Sequence, residues 1–159
     1  MNIKEVLNDK NVDFSGIPLP YFLIGLLSAF ENRFQAMADK TMKEISWKQF
    51  FAIICIKMCK ESPTINELAE IMGSSHQNVK QILLKLEKKD FVKIIIDKDD
   101  KRKQRILLTE HCKEFCQKND AMSQAIMESL FYQISPDQLQ TTIKTIIQVE
   151  DNLKKLEGE

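Results

Sequence analysis

The 159-residue chain has only four glycines, four prolines, one tryptophan and two histidines, and its 23 basic and 23 acidic groups cancel. Each scarcity excludes something. With so little turn-forming material, a many-stranded sandwich or barrel is not expected, and abundant Leu, Ile, Lys, Glu and Gln favour a mainly α-helical fold with few strands. The two histidines, His76 and His111, lie far apart with no adjacent acidic ligand motif, which makes a poor metal site. No Gly-rich phosphate loop, nucleophile elbow or H-E-x-x-H motif occurs, so neither an enzyme nor a bound cofactor is expected. The most apolar stretch, "IPLPYFLIGLLSAF", is shorter than the roughly 20 residues a membrane span needs. "MNIKEVLNDK" lacks the basic-then-apolar pattern of a secretory signal, so the expectation is a cytoplasmic protein without membrane attachment. In that compartment the four cysteines do not imply disulfides.

What is present is a well-filled, unevenly charged chain. Its 43% hydrophobic content suffices for one packed domain, or a compact core with helical extensions. The zero net charge hides a basic segment: residues 76–105 carry ten basic and five acidic groups, whereas 106–159 carry five and nine. Such a local excess is the footprint of a polyanion-binding surface, although it does not establish one by itself.

Periodicity then places the elements. A first helix begins near Pro18 to Tyr21 and runs to about Asp39, with Phe22, Leu26, Phe30, Arg33 and Phe34 at helical spacing. "SWKQFFAIICIKMCKES" opens with Ser46 as N-cap and is apolar almost all round, through Trp47, Phe50, Phe51, Ile53, Ile54, Ile56 and Met58, which predicts a buried central helix ending before Pro63. "PTINELAEIMG" is a short third helix with a Thr64–Glu67 capping box and a stop at Gly73. "SSHQNVKQILLKLEKKD" follows at once, with Ser75 as N-cap and Val79, Ile82, Leu83 and Leu86 on one face. Two helices joined by so short a turn are a helix-turn-helix candidate.

After Asp90 the period becomes that of strands, "FVKIII" and "RILL", separated by seven consecutive charged residues from Asp97 to Lys103. Thr109 caps a long helix, and Ser135, Pro136 and Gln138 start a last one. In that last helix Leu139, Ile143, Ile146, Leu153 and Leu156 form a narrow stripe suited to a partner helix.

Helix, helix-turn-helix and hairpin in that order make a winged helix. Its second motif helix would enter the major groove of double-stranded DNA with Ser75, His76, Gln77, Asn78, Lys80 and Gln81, all able to hydrogen-bond. A plain amphipathic helix with a polar outer face reads the same way, so the hairpin must decide. Its tip carries Lys98, Lys101, Arg102 and Lys103, able to follow phosphates or enter the minor groove. Asp97, Asp99 and Asp100 suit turn capping or the holding of an arginine.

The stretch from Ile45 to Thr109 resembles the MarR family of bacterial transcription regulators. "ISWKQF" is similar to the family's L-T-x-x-Q lead into its second helix, and "TINELAEIMGSSHQNVKQILLKLEKKDFV" to its helix-turn-helix. "DKDDKRKQRILLT" resembles the wing signature D-x-R, with Asp100 and Arg102 at its two fixed positions. The resemblance implies a homodimer with three regions per chain: 1–44 and 110–159 for dimerisation, and 45–109 for DNA binding. It implies base reading by Ser75, His76, Gln77, Asn78 and Gln81 and a minor-groove contact by Arg102; beside it the charged tip offers Lys101 and Lys103 to DNA, with Asp100 as wing support. A two-fold dimer would bind a pseudo-palindromic site with half-sites about 10 base pairs apart. Gln81 stands where many members have arginine, Asp90 where glycine is usual, and Leu84 where a polar residue is usual; Leu84 would meet a thymine methyl or be covered by the wing.

The family often binds small apolar or aromatic effectors, and Phe22, Phe30, Phe34, Phe50, Phe51 and Met58 are the candidate pocket, though aromatics at helical spacing are more often core. Cys55 with Cys59, and Cys112 with Cys116, share helix faces at four-residue spacing; buried structural thiols are the simpler reading, a thiol or metal sensor the other. The expected function is a DNA-binding regulator, more readily a repressor since blocking polymerase requires no further contacts. The alternatives are a winged-helix interaction module without specific DNA binding, and the thiol- or metal-responsive sensor.

Overall fold

The computed structural model describes residues 16–158. The opening "MNIKEVLNDK" and the first fifteen residues of the 1–44 region lie outside the described residues. The chain has the expected class, mainly α with one small hairpin: α1 Leu19–Thr41, α2 Trp47–Met58, α3 Ile65–Ile71, α4 His76–Lys88, β1 Val92–Ile96, β2 Gln104–Leu108, α5 Glu110–Leu130 and α6 Pro136–Glu157. The chain divides into two compact units, one ending at Cys112 and the other beginning at Lys113.

Short-range chemistry fixes the helix ends. The Ser46 hydroxyl accepts from the N–H of Gln49, whose side chain accepts in return from the Ser46 N–H. Thr64 with Glu67 and Ser135 with Gln138 repeat this reciprocal box at α3 and α6, each satisfying two donors that a helix start leaves open. Ser75 caps α4 more simply, accepting from the N–H of Asn78 at 3.3 Å.

Two helices stop in the same way. At Gly73, φ is +58°; its N–H donates to the Glu70 carbonyl at 3.1 Å and the Ser74 N–H to Ala69 at 3.0 Å. At the end of α4, Asp90 also has φ +58°, its N–H donates to Glu87 at 2.9 Å, and the Phe91 N–H donates to Leu86 at 2.9 Å. Both are Schellman stops, and in the second the residues Phe91 and Leu86 supply the buried apolar pair that usually accompanies the motif. Asp90 therefore takes the left-handed conformation that glycine would take without strain.

The core of the first unit gathers Ala52, Ile53, Cys55 and Ile56 from α2, Leu68 from α3, Val79, Leu83 and Leu86 from α4, and Phe91, Val92 and Ile106 from the hairpin. Helix α2 packs against α3, α4 and β2, as a central helix should. Met58, expected among its buried residues, is instead 74% exposed. At 3.6 residues per turn it falls on the side of α2 opposite Ala52 and Ile56, and an apolar helix does not by itself disclose which side is covered.

The hairpin is antiparallel, with register from Val92 opposite Leu108 to Ile96 opposite Gln104. Neither edge is left bare at its base. The Ile106 N–H donates to the Pro63 carbonyl at 2.9 Å, and the Ile94 N–H donates to the Glu87 side chain at 3.1 Å. Thr109 closes the base: its hydroxyl donates to the Asp90 carbonyl and accepts from the Cys112 N–H at 3.1 Å, capping α5, while its N–H donates to the Phe91 carbonyl at 3.1 Å. In the second unit the α6 stripe of Leu139, Ile143, Leu153 and Leu156 is exposed, with Ile146 half-buried.

Thr109→Val keeps the side-chain shape but removes both hydroxyl bonds. Urea unfolding should show it destabilised by about 1.5 kcal/mol, the sum of a lost cap and a part-buried carbonyl left without its partner. Asp90→Gly should move the other way, gaining about 0.5 kcal/mol as relief of left-handed strain exceeds the added chain entropy.

Candidate nucleic-acid interface

The polar face predicted for α4 is present. His76, Gln77, Asn78, Lys80 and Gln81 are exposed, while Val79, Ile82, Leu83 and Leu86 are buried on the other side. Two of the residues expected to read bases are engaged within the chain. The Ser75 hydroxyl is the helix cap, and the Asn78 amide donates to the Ser74 hydroxyl at 2.8 Å. Leu84 is exposed, so the wing does not cover it.

The wing tip is built by its aspartates. The Asp97 carboxylate accepts from the backbone N–H groups of Asp99 and Asp100, at 2.8 and 2.9 Å, which turns the chain at the tip. Asp100 accepts from both the backbone N–H and the Nε of Arg102, each at 3.1 Å. Arg102 is thereby oriented while its side chain remains 91% exposed. Lys101 and Lys103 are exposed beside it. The arginine's hydrogen bonds hold the Asp100 carboxyl below its ordinary range.

At the base of the wing stands Arg105, a residue that the sequence pattern did not single out. Its Nε donates to the second Asp97 oxygen, and its NH1 donates to the Ser62 carbonyl at 3.0 Å and lies 3.4 Å from the Glu67 carboxylate. Asp97 is only 11% exposed, and the Arg105 hydrogen bond, followed by those from Asp100 and Asp99, lowers its pKa to about 2. The Thr64 backbone bond lowers Glu67, with Arg105 adding to the effect. Nothing local marks Arg105, because Ser62 and Glu67 are 43 and 38 residues away along the chain.

These parts enclose a cleft of about 170 Å³, lined by Thr64, Asn66, His76, Arg102, Lys103 and Gln104 among others. The start of α3, the first residue of α4 and the wing tip thus share one polar, cationic concavity. Its donors can serve an oxyanion such as a phosphodiester.

The candidate effector residues divide. Phe34 meets Trp47 edge-on at a centroid distance of 4.6 Å and stacks with Phe30 at 5.9 Å, while Phe50 and Phe51 lie 6.3 and 6.0 Å from Trp47. Trp47, absent from the sequence-based set, is therefore the hub of the cluster. Phe30 is exposed, Phe22 is half-buried, and Met58 faces away from the α2 core. All four cysteines are free thiols. Burial pushes the Cys55 thiol up, with Cys59 adding to it, and burial does the same to Cys59, with Glu67 adding.

Asp97 sets a pH window. Its folded pKa is depressed below the ordinary 3.8, so its contribution to stability is complete above that value and is lost as pH falls toward about 2. Asp97→Asn should therefore be less stable than the parent protein at pH 6, and thermal melts of the two should converge between pH 4 and pH 2, the window those two pKa values define.

Residues 45–103 match the MarR family by sequence. By sequence, no curated protein matches the chain. Its fold is similar to that of a MarR/EmrR family transcriptional regulator from Acinetobacter sp. ADP1, at TM-score 0.77 and 14% identity, covering 87% of this chain and 99% of the other. It is also similar to MepR from S. aureus, solved as a DNA complex, at TM-score 0.72 and 18% identity over 80% of this chain and 95% of that one. A third is Bordetella bronchiseptica BpsR, described with regulation of its DNA binding by 6-hydroxynicotinic acid, at TM-score 0.70 and 15% identity over 88% and 97%. Over the helix-turn-helix and the first part of the wing the chain is thus similar in sequence to the MarR family, and its fold is similar to that of these winged-helix proteins.

Proposed function

We propose that this chain is a cytoplasmic, DNA-binding transcription regulator, not an enzyme, and that it acts as a homodimer on a pseudo-palindromic promoter site. Helix α4 lies in the major groove and the wing reaches the neighbouring backbone and minor groove. The observation that carries the reading is the cleft joining His76 at the head of α4 to Arg102 and Lys103 on the wing. The solved DNA complex of the similarly folded MepR supports it. Gln77 and Gln81 are placed to pair with adenine edges, while Lys101 and Lys103 neutralise phosphates.

The exposed apolar stripe of α6, together with exposed Leu19, Ile24 and Leu27 on α1, favours burial against a second copy. Repression is the simpler mode, since occupancy of a promoter by the dimer blocks polymerase without further contacts. The BpsR precedent supports release by a small apolar or aromatic molecule, for which the half-buried cluster around Trp47 is the place. A thiol switch has less in its favour: raised pKa values keep Cys55 and Cys59 protonated and poorly nucleophilic.

Fluorescence anisotropy against the protein's own upstream DNA and a scrambled duplex, at several salt concentrations, tests the proposal. Specific binding should weaken steeply with salt. Arg102→Ala should weaken it by about tenfold or more, and should lower the salt slope by about one for each half-site in which the arginine no longer displaces a counterion. Equal, weak binding to both duplexes would point to a partner-binding module or to a target elsewhere in the genome.

A further inference from the structure

Leu84 is anomalous on the outer face of α4. At 3.6 residues per turn, Gln77, Gln81, Leu84 and Lys88 all fall within roughly 30° of the point opposite the buried stripe. Three of these are polar, whereas Leu84 is an aliphatic side chain 44% exposed. A lone exposed leucine is unremarkable on an ordinary surface. This one sits between Lys80 and Lys85, on the helix whose first residue opens into the cationic cleft.

We propose that Leu84 is a specificity-determining residue that packs on the 5-methyl group of a thymine in the major groove. The assignment rests on the regulator reading and extends it. Leucine offers no hydrogen bond, and the thymine methyl is the apolar group that base edges present in that groove. Against cytosine, guanine or adenine the same side chain would cover donors and acceptors without pairing them, so it selects by exclusion as well as by contact. Seven residues separate Leu84 from Gln77, about 10 Å along the helix, which corresponds to about three base steps. The thymine therefore lies about three steps from the base that Gln77 meets.

The test begins with a duplex enriched from a random-sequence pool by the wild-type protein. Each thymine is then replaced in turn by deoxyuridine, which removes that methyl alone. One position per half-site should lose about fourfold in affinity, the worth of one buried methyl group. Leu84→Ala should bind the thymine and uracil duplexes alike at that position, with an unchanged thermal melt, since the site is exposed and alanine favours helix. Absence of any uracil-sensitive position, or a thymine preference undiminished in Leu84→Ala, overturns the assignment while leaving the regulator reading intact. A protein that enriches no sequence from the pool overturns the regulator reading and this assignment with it.

Discussion

The guanidinium of Arg105 joins two segments that the chain keeps apart: the wing, through Asp97, and the start of α3, through the Ser62 carbonyl and Glu67. Around it the backbone of β2 is stitched to the same pre-helical segment, through Ile106 to Pro63 and a bridge from Arg105 to Thr64. One side chain thus fixes the wing relative to the helix-turn-helix. Its planar fork is what allows several directed bonds at once, which a lysine ammonium on a flexible stem would not hold in the same geometry. Because Asp97 also turns the wing tip, the order of the tip depends on the bond at its base. The position of Arg102 follows from that order in turn, through Asp100.

The angle between α3 and α4 is set by a different device. A Schellman stop at Gly73 and a cap at Ser75 follow within two residues, so α4 starts almost where α3 ends. This compactness uses up part of the polar surface. Ser75 serves the helix, and Asn78 spends its amide on Ser74, whereas the side chains of Gln77 and Gln81 form no hydrogen bond with other described residues. On the proposed DNA-binding role, sequence discrimination would be concentrated on Gln77, Gln81 and their neighbour Leu84, polar and apolar side chains on one helical face.

Features governed by nearby residues were legible in the sequence. The N-caps at Ser46, Thr64, Ser75 and Ser135 all form, because a cap needs only a side chain and an N–H three residues on. The Asp100–Arg102 pair was legible for the same reason, as a two-residue signature at a turn. Asp90 departs from the expected glycine, and the structure absorbs the departure: the left-handed turn is kept, with Phe91 and Leu86 buried and Thr109 bonded to the Asp90 carbonyl. Long-range partners left no local trace. Arg105 looked like one more strand residue, Glu87 gave no hint of capping the Ile94 N–H, and Met58 was misplaced because α2 is apolar on several sides. The aromatic set was found without its hub, since helical spacing lists the rings on a face but not the ring they converge upon.

Rigidity inside the winged-helix unit constrains how binding could be regulated. Helix α2 packs on α3, α4 and β2 together, and its first residue, Trp47, carries the aromatic cluster that touches α1 through Phe34. An aromatic molecule inserted there would press on an element already packed against both α4 and β2. Close-packed interiors transmit such a displacement instead of absorbing it locally. The wing is tied to α4 by the Glu87 bond and to the start of α3 by Arg105, so the three would move as a body. In a two-fold dimer the quantity left to change is the separation of the two bodies, and half-sites one helical turn apart penalise any change in that separation. An effector would then act only to the extent that it binds the mismatched spacing more tightly than the matched one.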